Sequence, residues 1–475
     1  MAHEAFEAHI KRDSPPLSTP NVGRPAALPA RCLPHASRNL PRYTSYPTAM
    51  SFEPASETVA RRWIAEAAGT KSLSAYVHVP FCRRLCWYCG CHTSVVHGYD
   101  RVAAFHDQLL REVDLWACAL PGWGGLSHLH LGGGSPNALK PQDFVALRRR
   151  IGDAFGLAPG AEIAVELDPG ALSEAFIAAM GETGVTRVSL GVQTFDPVVQ
   201  HKVNRIQPFE SVAVAVILLR AHGVAGINFD LMYGLPGQTP QSVADTARAA
   251  VSLRPDRVAV FGYAHVPWMK RHQVMIHEAE LADVHGRWEQ AGAADEVLTG
   301  AGYVRIGLDH YALPEDELSL AARRGELRRN FQGYTTDSAS VLVPIGPSAI
   351  GRLPGGYVQN EIQTHQWRAA IDAGRLAISR QLPVGPSDEL RAAVIERLMC
   401  DLEADVADLC LRAGFAVSAL DAALQAARRL EADGLCRVSG RSVRIPEEAR
   451  RLVRVVAACF DERLPAAGRR HAVAV

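Results

Sequence analysis

The chain has 475 residues, 48% of them hydrophobic, and is therefore long enough for one large domain and a smaller one. Fifty Lys and Arg residues balance fifty Asp and Glu residues, so no overall charge favours nucleic acid or an anionic membrane as a partner. The longest apolar run, Val212–Leu219, is much shorter than the roughly 20 residues that a membrane-spanning helix needs, so we expect no membrane span.

Residues 1–40 are rich in Pro, Ala, Arg and His and show no sustained periodicity, so we predict a poorly ordered N-terminal extension. This stretch lacks the basic start and apolar core of a secretory signal, and we therefore expect a cytoplasmic protein. The acidic residues Glu4, Glu7 and Asp13 argue against a transit peptide.

From residue 41, strand-like runs alternate with helical segments, which predicts an α/β domain with a parallel sheet. Helix start signals lie between the runs, such as Ser173 before Glu174 and Thr239 before Pro240. Six such units are fewer than the eight of a closed barrel, so we predict a partial (β/α)6 barrel within a catalytic domain of residues 41–370. The six predicted strands are Ala75–Val79, His128–Leu131, Ile163–Leu167, Arg187–Val192, Ile227–Met232 and Arg257–Gly262.

Along these strands, residues of one parity are apolar and those of the other parity are polar. Because side chains alternate between the two faces of a strand, we expect the apolar parity to face the outer helices and the polar parity to face the barrel interior. The polar set includes Tyr76, His78, His128, His130, Glu166, Asp168, Ser189, Gln193, Asn228 and Asp230. An interior this polar predicts a ligand-binding lumen.

After about residue 270 we expect helices to dominate, with Asn330–Thr336 as a polar, aromatic loop. Beyond Asp388 the pattern indicates helices and a hairpin that turns at Ser439 and Gly440, so we predict a helical, winged-helix-like C-terminal domain over residues 371–475. The hairpin is basic, but no arginine-rich recognition helix accompanies it, so we expect no nucleic-acid partner.

Four of the ten cysteines fall within ten residues, which in a reducing compartment indicates metal binding. Cys82, Cys86 and Cys89 have the spacing C-x3-C-x2-C and follow the first predicted strand. Three thiolates can hold three irons of a [4Fe–4S] cluster and leave the fourth iron open for a ligand, whereas electron-transfer clusters normally use four. Structural zinc is the alternative, although it usually takes paired C-x2-C units. Cys91 could be a ligand, a hydrogen donor or structural, and we predict that it is not a ligand.

The cysteine spacing after a first βα strand resembles the radical S-adenosylmethionine (SAM) superfamily. Further segments resemble one family within it, the oxygen-independent coproporphyrinogen III oxidases, and the resemblance extends from about Pro41 to the C-terminus. The segments that carry it are Pro41–Thr48, Tyr76–Cys82, Cys89–Cys91, Gly191–Gln193, Val203–Arg205, Asp230–Gly237 and Asn330–Thr336.

This resemblance implies that coproporphyrinogen III is converted to protoporphyrinogen IX, two propionates becoming vinyl groups, in porphyrin and haem biosynthesis at low oxygen. It implies a [4Fe–4S] cluster and two SAM molecules, with a 5′-deoxyadenosyl radical that abstracts hydrogen from the propionate β-carbon. A reducing electron donor such as a flavodoxin or ferredoxin would be a partner, and we expect a monomer.

The resemblance also implies two sets of SAM-binding residues, and we assign Tyr76 and Cys91 as candidate catalytic residues. The first SAM site would comprise Tyr76, Gly133, Glu166 and Ile350, and the second Tyr88, Gly134, Ser135, Gln193, Arg205, Asp230 and Ala264. Backbone N–H groups in the Gly132–Gly134 turn can approach a carboxylate, and inner-face carboxylates suit ammonium or hydroxyl groups.

The substrate carries four carboxylates, so local cations are needed, and Arg42 and Arg205 are the candidates. The sequence departs from the family pattern at Tyr88, where a Phe is known, at Ser135, where Thr is common, and at Pro344–Pro347. Two alternatives remain open: a haem-trafficking relative that keeps the cysteine motif, and a redox regulator that binds DNA through its C-terminal end.

Overall fold

The computed structural model describes residues 27–68, 72–122 and 124–464, and a 13-stranded mixed sheet dominates it. The sheet order is β1-β17-β16-β15-β14-β2-β5-β6-β7-β8-β9-β11-β10. Its strands are β1 (Glu53–Pro54), β2 (Leu73–Val79), β5 (Leu126–Gly133), β6 (Leu157–Leu167), β7 (Arg187–Gln193), β8 (Gly226–Tyr233), β9 (Arg257–Gly262), β10 (Val304–Ile306), β11 (His310–Ala312), β14 (Val341–Ile345), β15 (Ile350–Leu353), β16 (Gly356–Asn360) and β17 (Ile378–Pro383). Shorter sheets contain β3 (Phe81–Cys82), β4 (Ser94–Val95), β12 (Arg328–Asn330), β13 (Gly333–Thr335), β18 (Glu403–Asp405), β19 (Arg437–Ser439) and β20 (Ser442–Arg444).

Helices connect these strands; the first and the last four belong to a second hydrophobic core, and most of the others pack against the sheet. They are α1 (Leu33–Ala36), α2 (Glu57–Ala67), α3 (Asp100–Ala119), α4 (Pro141–Phe155), α5 (Glu174–Glu182), α6 (Pro197–Lys202), α7 (Phe209–Ala221), α8 (Pro240–Ser252), α9 (Val284–Gly300), α10 (Glu317–Arg324), α11 (Thr364–Asp372), α12 (Pro386–Asp401), α13 (Val406–Arg412), α14 (Asp421–Arg428) and α15 (Val453–Ala457).

The six predicted strands are confirmed as the parallel centre of the sheet, β2-β5-β6-β7-β8-β9. Each is as long as predicted or longer. The predicted helix starts are confirmed as well: the Ser173 hydroxyl accepts from the N–H of Phe176, and Thr239 forms a capping box with Ser242. Local capping and the right-handed βαβ connection together fix this part of the fold.

The alternation of the two strand faces is also confirmed. The apolar parity, from Val77 and Val79 on β2 to Phe229 and Leu231 on β8, lies in the main hydrophobic core against the helices. The polar parity lines the other face, where His130, Glu166 and Asp230 border one cavity of about 230 Å³. The polar lumen predicted from the sequence is therefore present.

The expectation that strands end near residue 270 is wrong. The strands from β10 to β17 follow, and β14 pairs in parallel with β2 while β15, β16 and β17 extend that edge in antiparallel order. Asn330–Thr336, predicted as a loop, forms most of the β12–β13 hairpin. Many of these strands have only three residues, too few to give a periodic signal, and pairing with distant segments fixes them.

A second hydrophobic core forms around α12 and the C-terminal helices, with the sheet β18-β20-β19 beside them. The predicted hairpin is confirmed, although Ser439 pairs with Ser442 and the turn therefore lies at Gly440 and Arg441. Residues 1–40 were predicted to be a poorly ordered extension. Within residues 27–40, Leu28 and Leu40 pack into this second core. Residues 1–26 lie outside the described chain. No helix in the described ranges is long and apolar enough to cross a membrane.

Candidate functional site

The cysteine loop follows β2 at the carboxyl end of the parallel strands, where catalytic loops of such folds lie. The Thr93 hydroxyl donates to Cys82 Sγ at 3.1 Å, and Arg205 Nη1 donates to Cys86 Sγ at 3.4 Å. The α6–α7 connection also contacts the cysteine loop, because Asn204 Nδ2 donates to the carbonyl of Leu85 at 2.9 Å. The three predicted ligand positions are thus held on one short loop with polar donors at two of the sulfurs.

Donor groups favour the thiolate form that iron needs at Cys89, whereas burial raises the pKa of Cys82 and Cys86 despite their donors. A hydrogen bond from Cys91 lowers the pKa of Cys89 to about 6 despite burial, and the nearby charges of His272 and Lys270 add to the effect. Burial, together with the nearby Cys89, Cys86 and Asp168, raises the pKa of Cys82 to about 11, although the Thr93 hydroxyl donates to its sulfur. Bound iron would supply the positive charge that this buried thiol lacks.

The cysteine loop offers three thiols, the number expected for a [4Fe–4S] cluster with one open iron. No group of three or more His, Cys, Asp or Glu side chains in residues 27–68, 72–122 and 124–464 is arranged to hold one metal ion. Cys91 is exposed, whereas Cys86 is buried and Cys82 and Cys89 are half-buried.

A glycine turn and an acidic side chain meet beside this loop. Gly133 has a φ of +109°, and its N–H donates to Glu166 Oε2 at 3.2 Å. A Cβ on Gly133 would lie 2.5 Å from the His78 ring, so glycine is required both by conformation and by space. Although burial opposes ionisation, hydrogen bonding to His130 at 2.9 Å lowers the pKa of Glu166, which is therefore a carboxylate at neutral pH.

Tyr76 is held by a histidine on the same strand. Its hydroxyl lies 3.0 Å from His78 Nδ1, and His78 Nε2 lies 2.9 Å from the carbonyl of His92. Burial lowers the pKa of His78 to about 4, so the ring is neutral near pH 7. A neutral ring donates from Nε2 to the carbonyl and accepts at Nδ1, which fixes the direction of the tyrosine hydroxyl.

Arg205 lies between the cysteine loop and the sheet. Its Nη2 donates to the carbonyl of Gly191 at 2.7 Å and lies 3.1 Å from Asp168 Oδ1. Its Nε is buried and has no hydrogen-bond partner in the described part of the chain. Asp168 and Cys86 therefore already share this cation, which leaves it less available to a substrate propionate than the sequence suggested.

Of the other predicted SAM contacts, Asp230 lines the 230 Å³ cavity. Asp230 accepts from Ser189 at 2.8 Å and Asn228 at 2.9 Å, and Ser135 Oγ accepts from the N–H of Asp168 at 3.0 Å. The remaining ones are Gly134 after β5, Gln193 with a φ of +66°, Tyr88 in the cysteine loop, Ala264 after β9 and Ile350 at the start of β15. Ile350 packs instead with the cluster of Phe52, Tyr357 and Leu382.

Two cavity residues were missed by the sequence analysis. His310 on β11 lines the 230 Å³ cavity and pairs with Asp309 at 2.8 Å; Arg329 on β12 is half-buried beside Tyr334 and lines another cavity, of about 380 Å³. Both lie in the region expected to be helical. Each lies on a strand of three residues, which is too short to show a periodic pattern in the sequence.

Comparison with known proteins agrees with this geometry. A model described as the Radical SAM superfamily matches residues 76–250, which include the cysteine loop and Glu166. The fold and site therefore define a radical SAM enzyme, and the class implies a [4Fe–4S] cluster and SAM as cofactors.

More specific relatives match most of the chain. The oxygen-independent coproporphyrinogen III oxidase of Bradyrhizobium diazoefficiens is 47% identical over 93% of this chain and 98% of the relative, and that of Paracoccus denitrificans is 43% identical over 89% and 94%. The solved coproporphyrinogen III oxidase of Escherichia coli, described as a radical SAM enzyme, superposes with a TM-score of 0.85 at 33% identity over 90% of this chain and all of that one. The chain belongs to the oxygen-independent coproporphyrinogen III oxidase family.

Proposed function

We propose that this protein decarboxylates two propionates of coproporphyrinogen III oxidatively to vinyl groups and so forms protoporphyrinogen IX for haem biosynthesis. The observation that carries the proposal is the three-cysteine loop at the mouth of a polar lumen, in a chain 47% identical to a named oxidase over 93% of its length. When bound, the cluster and SAM would supply a 5′-deoxyadenosyl radical that removes a hydrogen atom from the propionate β-carbon; loss of CO2 and transfer of one electron from the substrate to an acceptor would then leave the vinyl group.

In this proposal Cys82, Cys86 and Cys89 hold three irons and leave the fourth open. Arg205 at Cys86 and Thr93 at Cys82 orient the sulfurs and offset their negative charge. Cys91 is not a ligand; with Tyr76 it stays a candidate for contact with the reacting groups.

Two SAM molecules are part of the proposal, held by residues of the lumen. Glu166, fixed by His130 and Gly133, would bind a cationic amino group or ribose hydroxyls at the first site together with Tyr76 and Ile350. The second site would comprise Tyr88, Gly134, Ser135, Gln193, Arg205, Asp230 and Ala264. Carboxylates on the inner face support both assignments.

The cavities supply cations for the four substrate carboxylates. A cavity of about 380 Å³ adjoins the β12–β13 hairpin and is lined by Arg328, Arg329 and Arg352. Tyr43–Tyr46 line the same cavity, so two of the segments that resemble the oxidases meet there. Arg42 is exposed, donates to the carbonyl of Gly262 at 2.8 Å and can move to a propionate. Arginine suits this role because its planar guanidinium binds a carboxylate through two parallel hydrogen bonds.

The remaining parts of the proposal concern the setting of the enzyme. We place it in the cytoplasm as a monomer, served by a one-electron donor such as a flavodoxin or ferredoxin. The neutral overall charge supports the absence of a nucleic-acid partner.

Anaerobic reconstitution tests the function. The protein is loaded with iron and sulfide, supplied with dithionite, SAM and coproporphyrinogen III, and assayed for protoporphyrinogen and 5′-deoxyadenosine. Both products are expected, in a ratio of about one deoxyadenosine per vinyl group formed. Deoxyadenosine without vinyl product would contradict the oxidase function, and haem binding without either product would favour the haem-trafficking alternative.

A further inference from the structure

A patch of exposed apolar side chains, which we call the 268–275 patch, lies on the loop after β9. Trp268, Met269, Val274 and Met275 have exposed fractions of 51, 60, 66 and 49%. Single exposed apolar residues are common on protein surfaces, but four within eight residues form a contiguous candidate for an interface. Gln273 and Ile276 of the same loop are buried and hold it against the rest of the protein.

This patch is hydrogen-bonded directly to the cysteine loop. Lys270 Nζ donates to the carbonyl of Cys91 at 2.9 Å, and His272 Nε2 lies 2.8 Å from the carbonyl of Cys89. Gln273 Nε2 donates to the carbonyl of Tyr88 at 3.0 Å. A protein seated on the patch would therefore be separated from the proposed cluster by little more than one layer of backbone.

Basic side chains lie in the patch and in the cysteine loop to which it is hydrogen-bonded. Arg83 and Arg84 in the cysteine loop and Arg271 in the patch are exposed, and no described carboxylate lies within ion-pair distance of them. The nearest acidic residues along the chain, Glu278 and Glu280, face His265 at 3.3 Å and Lys202 at 2.9 Å. Residues 82–99 and 263–277 contain Arg and Lys but no carboxylate, in a chain whose formal net charge is zero.

We propose that the 268–275 patch is the docking surface for an acidic flavodoxin that reduces the cluster. The inference rests on the proposed function, since only a radical SAM reaction requires this electron. One electron leaves the flavin hydroquinone, which becomes the semiquinone, and the oxidised cluster accepts it. A flavodoxin exposes the apolar dimethylbenzene edge of its flavin within an acidic surface, which complements an apolar patch with arginines beside it.

The test uses the double variant Met269→Glu/Arg271→Glu and the control Leu411→Glu/Arg437→Glu. Both variants make the same change of charge; Leu411 and Arg437 are exposed and lie on α13 and β19 in the C-terminal region. Binding of a purified bacterial flavodoxin to the cluster-loaded protein is measured calorimetrically at low and high salt. Deoxyadenosine formation is then driven separately by reduced flavodoxin and by dithionite, a small reductant that needs no docking surface.

We expect the patch variant to raise the Kd for flavodoxin about tenfold or more at low salt and to slow flavodoxin-driven turnover similarly. Dithionite-driven turnover and iron content stay unchanged, and the control behaves as wild type. Unaltered flavodoxin binding in the patch variant overturns the proposal, as does binding of a ferredoxin in preference to flavodoxin. The proposal is also overturned if the wild type is a dimer and the patch variant alone is a monomer, because the patch would then bind a second copy of the chain. Failure of the proposed function is distinguishable, because the wild type would then form no protoporphyrinogen with dithionite or with flavodoxin, whether or not flavodoxin binds at the patch.

Discussion

Arg329 Nε donates to the carbonyl of Tyr43 at 3.1 Å. This hydrogen bond joins Pro41–Thr48 to the β12–β13 hairpin, two segments about 290 residues apart that both resemble the oxidase family. The Arg329 guanidinium also lies 4.3 Å from the centre of the Tyr334 ring. The Tyr334 hydroxyl in turn donates to the carbonyl of Met399, so the contact extends from the N-terminal segment to α12.

Arg329→Met is expected to lower the free energy of unfolding by about 1–3 kcal/mol, because it leaves the Tyr43 carbonyl without its donor. Arg328→Met is the matched control: Arg328 is exposed and pairs with Glu396 at 3.0 Å, so its loss should cost less than about 1 kcal/mol. Denaturant titration of both variants measures the difference. Equal losses would show that the Arg329 contact has no special role.

The parts of this fold that could be predicted are those with strong local signals. Six strands with alternating faces, two capped helices and the terminal hairpin follow from short-range patterns. The strands after residue 270 could not be predicted, because β1 pairs with β17 and β11 with β9 across long stretches of chain. Three-residue strands such as Val304–Ile306 carry no period of their own.

The candidate site also contains residues that could be predicted from the sequence and residues that could not. Cys82, Cys86, Cys89 and Glu166 follow from spacing and strand parity. The contacts of Lys270 and His272 with the cysteine loop are to backbone carbonyls, which every residue possesses, so no sequence pattern could reveal them.

Serine replacement separates cluster ligands from Cys91. Cys82→Ser, Cys86→Ser and Cys89→Ser should each lose the visible absorbance of the cluster and most bound iron, since a hydroxyl is a far poorer iron ligand than a thiolate. Deoxyadenosine formation should fall by more than about 100-fold. Cys91→Ser should keep iron and sulfide at wild-type content. Loss of the cluster in this fourth variant would show that Cys91 is a ligand after all.

Glu166→Gln should weaken SAM binding about tenfold, because the amide lacks the negative charge that His130 and Gly133 hold in place. Isothermal titration of cluster-loaded protein with SAM measures this. Glu162→Gln is the control on the same strand, where Glu162 pairs with Arg187 at 3.0 Å. It should reduce stability without changing SAM affinity; equal loss of affinity in both variants would remove Glu166 from the site.

The neutral His78 ring predicts a pH dependence of stability. Its pKa is about 4 in the folded protein and 6.5 in the unfolded chain, so the unfolded state binds more protons between these values. The stabilisation is therefore fully present above pH 6.5 and is lost as the pH falls toward 4. The pKa difference corresponds to a loss of about 3 kcal/mol at most.

His78→Gln isolates this effect, because glutamine remains neutral over the whole range. The difference in unfolding free energy between wild-type and variant cluster-free protein should change by up to about 3 kcal/mol between pH 7 and pH 4, and should stay constant above pH 7. In the wild type, protonation turns Nδ1 from an acceptor into a donor, so its hydrogen bond with the Tyr76 hydroxyl must reverse direction, whereas the amide of the variant undergoes no such change. A difference independent of pH would mean that the His78 ring is equally protonated in the folded and unfolded states, and would contradict the assignment of Nδ1 as the acceptor of the Tyr76 O–H.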